Sequence, residues 1–149
     1  MKSKARAVVI GGGVVGVSTL YHLAAKGWDD SILLERKSLT SGSTWHAAGL
    51  LPLFNMSYSV GQIHKYSVRF YQELQDETGM DVGFRKVSNI RLASTQDRMD
   101  EYLQYKGVAD TIGVEVNVLS PQEIKDCWPL VSTENLIGAI QHPEDGYIQ

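Results

Sequence analysis

The stretch VVIGGGVVG, Val8 to Gly16, decides how the first part of this chain folds. Gly11, Gly13 and Gly16 have the G-x-G-x-x-G spacing, directly after a short β-branched run and at the start of a helical pattern. The first glycine permits a tight turn, the second lets the backbone approach a pyrophosphate, and the third lets the helix pack closely on the strand. Free amides and the positive end of the helix dipole then attract the phosphates. The stretch therefore predicts a dinucleotide-binding turn.

The flanking segments complete a βαβ unit. Ala7–Ile10 predicts a strand, Val14–Lys26 a helix that Gly27 terminates, and Ser31–Leu34 a second strand. Such a unit has a right-handed crossover and a parallel sheet. Glu35 follows the second strand, where a carboxylate can accept hydrogen bonds from ribose hydroxyls and would repel a 2′-phosphate. NAD and FAD both stay open at this point, NADP is disfavoured, and a purely structural glycine turn is the alternative.

Composition excludes several classes of function. The 149 residues carry a net charge of −3 with both signs scattered, so no basic block suggests nucleic acid or an anionic membrane surface. The apolar run at the start ends at Ile10, too early for a signal peptide, and no run approaches the roughly 20 apolar residues of a membrane span. Cys127, the only cysteine, predicts a reducing compartment and a buried packing role. His22, His64 and His142 lack partners at metal-ligand spacing, so we expect no metal site.

After residue 50 the pattern alternates between helices and strands. The predicted elements are a helix over Ser57–Thr78 that packs through Ile63, Tyr66, Phe70, Tyr71 and Leu74 and ends at Gly79, strands within Phe84–Ser94, a helix over Gln96–Ile112 that ends at Gly113, a strand over Val114–Leu119, a helix that starts with a capping box at Ser120–Glu123, and a strand within Leu136–Gln141. A doubly wound nucleotide site needs a third parallel strand, and only one βα crossover is visible. We therefore expect the chain to be the N-terminal piece of a longer protein.

A second motif, TSGSTWHAAGLL from Thr40 to Leu51, follows the βαβ unit. It places Trp45 and His46 among very small residues, in a loop that could line an extended cofactor beyond its adenosine half. This run, together with Val8–Gly16 and Leu33–Glu35, resembles the dimethylglycine and sarcosine dehydrogenases, which are members of the D-amino-acid-oxidase-like flavoenzymes. Weaker likeness extends through Tyr71–Gly79, Gly83–Ser94 and Glu144–Gln149, and so covers the whole chain.

The resemblance implies an α/β fold in which residues 1–50 form the N-terminal part of a Rossmann-like FAD-binding domain. Residues 51–149 would begin a mixed α+β substrate or cap region, with the rest of the enzyme missing. In the family the histidine of the run is joined covalently to the 8α-methyl of FAD, which implies that role for His46. Trp45 would either wall the flavin or fill core beneath the loop, and Arg36 and Lys37 would meet adenine or phosphate or lie in a solvated loop. The implied cofactor-binding residues are Gly11, Gly13, Val14, Val15, Gly16, Glu35, Arg36, Gly42, Ser43, Thr44, Trp45, His46, Ala47, Ala48, Gly49 and Leu50.

The activity that the resemblance implies is oxidative demethylation of N-methylated glycine derivatives, by hydride transfer to FAD and then to an unidentified electron acceptor. Tetrahydrofolate could take part through a further domain, and the residues that bind and deprotonate the amine would lie beyond Gln149. The segment LPLFNMSYS, residues 51–59, departs from the family, which leaves the amine open; Gln149 stands where relatives often carry an acid. Two alternatives are a non-catalytic regulatory subunit of the same family and an NAD-dependent dehydrogenase. The bare start suits a bacterial cytoplasm, and a eukaryotic protein would be expected in the mitochondrial matrix.

Overall fold

The structure, a computed structural model, describes residues 4–149. The chain forms two compact units, one that ends at Ala48 and one from Gly49 to Gln149. The prediction that the start is not a signal peptide rests partly on residues 1–3, which lie outside the described residues. No helix among residues 4–149 is long and apolar enough to cross a bilayer.

The first unit is the predicted βαβ arrangement. Strand β1 (Ala7–Ile10) pairs in parallel with β2 (Ser31–Leu34), and helix α1 (Val14–Ala25) connects them. Gly27 has φ +77° and donates its N–H to the Ala24 carbonyl, so the left-handed helix terminus is confirmed. A short 3-10 turn, η1 (Ser43–His46), interrupts what the sequence predicts as an irregular loop, because Ala47 N–H bonds to the Thr44 carbonyl.

The second unit contains two three-stranded antiparallel sheets, with strand orders β3-β8-β4 and β5-β7-β6. Its elements are β3 (Leu50–Leu51), α2 (Tyr58–Thr78), β4 (Phe84–Lys86), β5 (Asn89–Ala93), α3 (Gln96–Ile112), β6 (Asn117–Leu119), α4 (Pro121–Cys127), β7 (Gly138–His142) and β8 (Gly146–Ile148). The capping box of α4 is present in full: Ser120 accepts from the Glu123 N–H and donates its own N–H to the Glu123 carboxylate.

The core of the second unit lies between α3, the second sheet and one side of α2. Its apolar members are Leu53, Val68, Ala93, Met99, Tyr102, Tyr105, Ala109, Ile112, Val114, Val116 and Ile140. Because these side chains come from four elements, α2, β5, α3 and β7, and from the segments that contain Leu53, Val114 and Val116, burial of this apolar surface stabilises the unit as a whole.

Two sequence predictions about packing are wrong, the first of them only in part. Ile63 and Tyr66 on α2 are exposed, whereas Phe70, Tyr71 and Leu74 are half-buried. The fully buried residues of α2 are Gly61 and Val68, and a Cβ at Gly61 would lie 2.4 Å from the Ile112 side chain. Cys127 is exposed at the end of α4.

The strand predicted from Val114 begins only at Asn117, and the helix terminus explains the delay. Val114 still bonds through its N–H to the Ala109 carbonyl of α3, so the chain has not yet left the helix. Strands β3 and β8 were not predicted, because two or three residues are too short to show an alternating pattern.

Candidate functional site

The glycine turn between β1 and α1 has the geometry that its spacing predicts. Gly11 has φ +106°, a conformation open to glycine but strained for other residues, and its N–H donates to the Leu34 carbonyl at 2.8 Å. A Cβ on Gly16 would lie 1.8 Å from the Gly11 carbonyl oxygen. The helix therefore starts against the turn with no space for any side chain at Gly16.

The first amide of α1 points into this turn. Gly13 is the N-cap residue and provides no side-chain cap, so the Val14 N–H is met by the Thr44 hydroxyl at 2.9 Å. The Thr40 N–H in turn donates to the Gly12 carbonyl at 2.9 Å. The Thr40–Leu51 motif is thus bound to the glycine turn by two hydrogen bonds, and a Cβ on Gly13 would press on Thr44 at 2.9 Å. An electropositive helix terminus and a set of small residues meet in one place, as a phosphate site requires.

Glu35 closes the other side of the turn. Its carboxylate accepts from the Gly12 N–H at 2.7 Å and from the Lys37 N–H at 2.8 Å. These two backbone hydrogen bonds, the one from Gly12 first, lower the pKa of Glu35, so the group is ionised at neutral pH. A carboxylate has about four acceptor positions, and the two that remain can bind ribose hydroxyls.

An open cleft of about 610 Å³ lies over the turn. That volume is within the range of cofactor sites. It gathers predicted residues from the glycine turn, from the end of β2 and from the run after it; its lining comprises Val9, Ile10, Gly11, Gly13, Val14, Val15, Gly16, Thr19, Glu35, Arg36, Lys37, Ser41, Gly42, Ser43, Thr44 and Ala47.

Four of the lining residues were missed from the sequence, namely Val9, Ile10, Thr19 and Ser41, while Lys37 was considered together with Arg36. A periodicity signal existed for Thr19 alone, because it lies one helical turn after Val15 on α1. The other three only adjoin predicted residues or belong to the strand that leads into the turn.

Other predicted residues lie outside the lining of this cleft. Trp45 is 74% exposed and therefore fills no core among the described residues. The His46 ring is exposed, packs edge-on to Trp45 with ring centroids 6.1 Å apart, and pairs through Nδ1 with the Gly42 carbonyl at 3.1 Å. Ala48 is exposed, and Gly49 and Leu50 belong to the second unit. In residues 4–149, no group of three or more His, Cys, Asp or Glu side chains could hold a metal ion.

Comparison with known proteins identifies the class of cofactor. The FAD dependent oxidoreductase family model matches residues 6–149. The chain is 41% identical to rat mitochondrial dimethylglycine dehydrogenase over 99% of its length, 42% identical to human mitochondrial sarcosine dehydrogenase over 98%, and 41% identical to 4-methylaminobutanoate oxidase (formaldehyde-forming) of Paenarthrobacter nicotinovorans over 96%. It spans only 16–17% of the length of these relatives.

One further relative and one solved structure complete the comparison. The mouse mitochondrial pyruvate dehydrogenase phosphatase regulatory subunit is 34% identical over 99% of this chain, which spans 17% of that protein. The crystal structure of L-proline dehydrogenase from P. horikoshii superposes with a TM-score of 0.89 at 25% identity, covering 99% of this chain and 39% of the other. The family match decides between NAD and FAD in favour of FAD, and it confirms the predicted fold class. The chain belongs to the FAD dependent oxidoreductase family, with the dimethylglycine and sarcosine dehydrogenases among its relatives.

Proposed function

We propose that the full-length protein is an FAD-dependent enzyme that oxidatively demethylates N-methylated amino acids of the dimethylglycine and sarcosine type. The observation that carries the proposal is the cleft of the first unit, which brings the glycine turn, Glu35 and the Gly42–Thr44 segment together. All three catalytic relatives bear the names of enzymes of methylated amino acids, and the Paenarthrobacter enzyme extends the class beyond glycine derivatives. The shared chemistry is a carboxylate next to a secondary or tertiary N-methyl amine.

The residues of the cleft suit the pyrophosphate and adenosine part of FAD. The α1 terminus and the Gly11–Gly13 backbone would hold the pyrophosphate, and Glu35 would hold the adenosine ribose. When bound, FAD supplies the hydride acceptor for the substrate carbon, which is chemistry that no side chain can provide. We expect the residues that bind the amine beyond Gln149. Hydrolysis of the iminium product or its capture by tetrahydrofolate, and transfer of the electrons to an acceptor, would also need parts of the full-length protein.

We further propose that His46 carries FAD covalently through Nε2. The Gly42 carbonyl, 3.1 Å from Nδ1, favours the tautomer with the proton on Nδ1, so Nε2 keeps its lone pair. Attachment exchanges one 8α-methyl hydrogen and the imidazole proton for a carbon–nitrogen bond. The two electrons set free leave by way of the flavin to its acceptor, and both protons pass to solvent. The 3-10 turn fixes the backbone from Ser43 to His46, which limits the positions that the ring can take.

The test uses the full-length protein with a matched pair of histidine variants. His22 also pairs through Nδ1 with a carbonyl four residues earlier, that of Ser18 at 2.7 Å, but it lies in the middle of α1. We expect wild type and His22→Ala to stay yellow after acid precipitation, and His46→Ala to release its flavin. Colourless wild-type protein would refute FAD binding, and yellow protein that releases all its flavin in acid would refute the covalent link.

The regulatory subunit among the relatives makes a non-catalytic flavoprotein the second candidate. Anaerobic addition of dimethylglycine, sarcosine or 4-methylaminobutanoate separates the two, because an enzyme bleaches its flavin absorbance near 450 nm and a regulator does not. We propose the bacterial cytoplasm as the compartment, or the mitochondrial matrix if the source is eukaryotic; fractionation with marker enzymes tests this.

A further inference from the structure

The run that contains His46 is held to the glycine turn within the first unit. The Thr40 N–H donates to the Gly12 carbonyl at 2.9 Å, and the Trp45 N–H of η1 donates to the Thr40 carbonyl at 3.1 Å. Thr40 has φ +64°, a conformation that is strained for a β-branched residue and persists only where the surroundings impose it. These backbone bonds therefore fix the start of the run against the dinucleotide turn.

The Thr44 hydroxyl adds a side-chain bond at the same place. Helix α1 begins after Gly13, which has no side chain to cap it, and the Val14 N–H is one of the amides that a helix leaves without an internal partner. Thr44 Oγ1 accepts from that N–H at 2.9 Å, so a residue 30 positions later takes the role of a local N-cap. A Cβ on Gly13 would lie 2.9 Å from the same oxygen, so a capping side chain at Gly13 would displace Thr44.

Thr44 also lines the cleft over the glycine turn. A hydroxyl that accepts one hydrogen bond still has its own proton to donate. The hydrogen bonds of α1 begin with the one from the Val17 N–H to the Gly13 carbonyl at 3.0 Å, so the N–H groups of Val15 and Gly16 come before them. An anion at this helix terminus can therefore accept from two backbone amides and from the Thr44 hydroxyl.

His46 belongs to the same turn as Thr44. Its Nδ1 pairs with the Gly42 carbonyl at 3.1 Å, and the Ala47 N–H donates to the Thr44 carbonyl at 3.2 Å. Only Trp45 lies between Thr44 and His46, and all these residues are in the first unit. A displacement of Thr44 must therefore move the backbone that carries the imidazole.

We propose that Thr44 is a positioning residue for flavin attachment: its hydroxyl links the α1 terminus, where the pyrophosphate would bind, to the turn that carries His46. This inference rests on the proposed covalent link at His46. The glycine turn would hold the pyrophosphate first, and the Thr44 hydroxyl would then keep η1 in the position from which the imidazole reaches the flavin. A displacement of about 1 Å at a reacting group can cost about 100-fold in rate. Loss of the hydroxyl should therefore slow attachment even when the cleft is saturated with FAD.

The test compares Thr44→Val with Thr44→Ser in the full-length protein. Valine keeps the β-branched shape of threonine without the hydroxyl, and serine keeps the hydroxyl without the methyl group. Flavin-free protein is mixed with saturating FAD, and acid-stable flavin is measured over time as a fraction of total bound flavin. We expect Thr44→Val to attach flavin about tenfold more slowly or worse, and Thr44→Ser to stay within about threefold of wild type.

Thr111→Val is the control for the loss of a threonine hydroxyl. Thr111 lies on α3 in the second unit, and its hydroxyl donates to the Gly107 carbonyl at 3.0 Å. The attachment rate of this variant should stay within about twofold of wild type.

The affinity for FAD is measured separately, by fluorescence titration in a His46→Ala background. If Thr44 only bound the pyrophosphate or only stabilised α1, Thr44→Val would raise the dissociation constant or lower the Tm and leave the rate at saturating FAD unchanged. The rate at saturation is therefore the quantity that a positioning role changes.

ADP gives a measurement that does not need the flavin, because it contains the adenosine and pyrophosphate of FAD. Hydrogen exchange of residues 43–47 is followed in flavin-free full-length protein, with and without saturating ADP. We expect ADP to slow this exchange about tenfold in the wild type and by less than about twofold in Thr44→Val.

A wild-type attachment rate in Thr44→Val at saturating FAD would overturn the inference. Equal slowing in Thr44→Ser and Thr44→Val would do the same, as would exchange of residues 43–47 that ADP leaves unchanged in the wild type. Absence of acid-stable flavin in the wild type would instead overturn the covalent link. Because the ADP measurement does not depend on that link, the two failures are distinguishable.

Discussion

Replacement of Asp145 by Asn should change how the stability of the second unit depends on pH. Burial raises the pKa of Asp145 from its ordinary 3.8 to about 6, against the opposing effects of the Leu53 hydrogen bond and of the charges on Arg91 and His64. Burial first and Arg91 second lower the pKa of His142 from 6.5 to about 4. Both side chains are almost fully buried, so solvent screens neither strongly.

The two shifts act in opposite directions. Between pH 3.8 and about 6 the folded state holds the Asp145 proton more tightly than the unfolded state does, so this group lowers stability as pH rises. Between about 4 and 6.5 the unfolded state binds the His142 proton more tightly, so this group raises stability as pH rises. At about 1.4 kcal/mol per pKa unit, each contribution amounts to about 3 kcal/mol. In the wild type they nearly cancel.

Asp145→Asn removes one of the two contributions and leaves the other. From pH 7 to pH 4 the free energy of unfolding of this variant should fall by about 3 kcal/mol relative to wild type. The difference between the proteins at each pH is the quantity to compare, because other titrating groups contribute equally to both. Native-state hydrogen exchange of the slowest amides in α3 and β7, at four pH values in the full-length protein, measures it. His142→Gln, the opposite variant, should gain about 3 kcal/mol over the same range. Parallel profiles for Asp145→Asn and wild type would refute the reasoning.

Three further predictions, which use four variants, test the site and the fold. Gly16→Ala places a Cβ 1.8 Å from the Gly11 carbonyl oxygen, so it should abolish FAD retention and lower the free energy of unfolding by about 3 kcal/mol. The control, Gly107→Ala on an open position of α3, should raise the free energy of unfolding by about 0.5–1 kcal/mol. Flavin content and urea unfolding measure both variants. Glu35→Gln keeps an acceptor for the Gly12 N–H but loses the negative charge. In a His46→Ala background, the dissociation constant for FAD, measured by fluorescence titration, should rise about tenfold. An unchanged constant would exclude Glu35 from the site. Ser120→Ala removes the α4 cap and should cost about 1 kcal/mol in urea unfolding with no effect on flavin content.

Local patterns predicted the two strands and the α-helix of the first unit. Gly11, Gly16 and Glu35 act within one strand-helix-strand unit, where the helical and strand periods fix the spacing of every partner. The same holds for α4, whose cap needs only Ser120, Pro121 and Glu123 in sequence. In each case the interacting groups are close along the chain, so their spacing in the sequence is enough to predict the contact.

The face of α2 shows where such reasoning fails. Apolar residues recur at helical spacing through Ile63, Tyr66 and Phe70, but burial follows Gly61 and Val68, because a glycine lets α3 approach closely at Ile112. A periodicity argument counts large apolar side chains and ignores glycine, which has no side chain and therefore lets a neighbouring helix come close. The partner helix, not α2 itself, determines which side is covered.

The hydrogen bond between the Leu53 N–H and the Asp145 carboxylate also lies beyond any local pattern. Nothing in the sequence around Asp145 indicates that its carboxylate accepts a hydrogen bond from an N–H group 92 positions earlier. By contrast, the glycine turn and the Thr40–Leu51 motif, which look like separate motifs, are joined by the Thr40–Gly12 and Val14–Thr44 hydrogen bonds. A substitution that removes one of these two hydrogen bonds therefore affects both motifs. Within the first unit these two bonds fix the run that contains His46 to the glycine turn, so under the proposed covalent link Thr40 and Thr44 help to hold the imidazole in position.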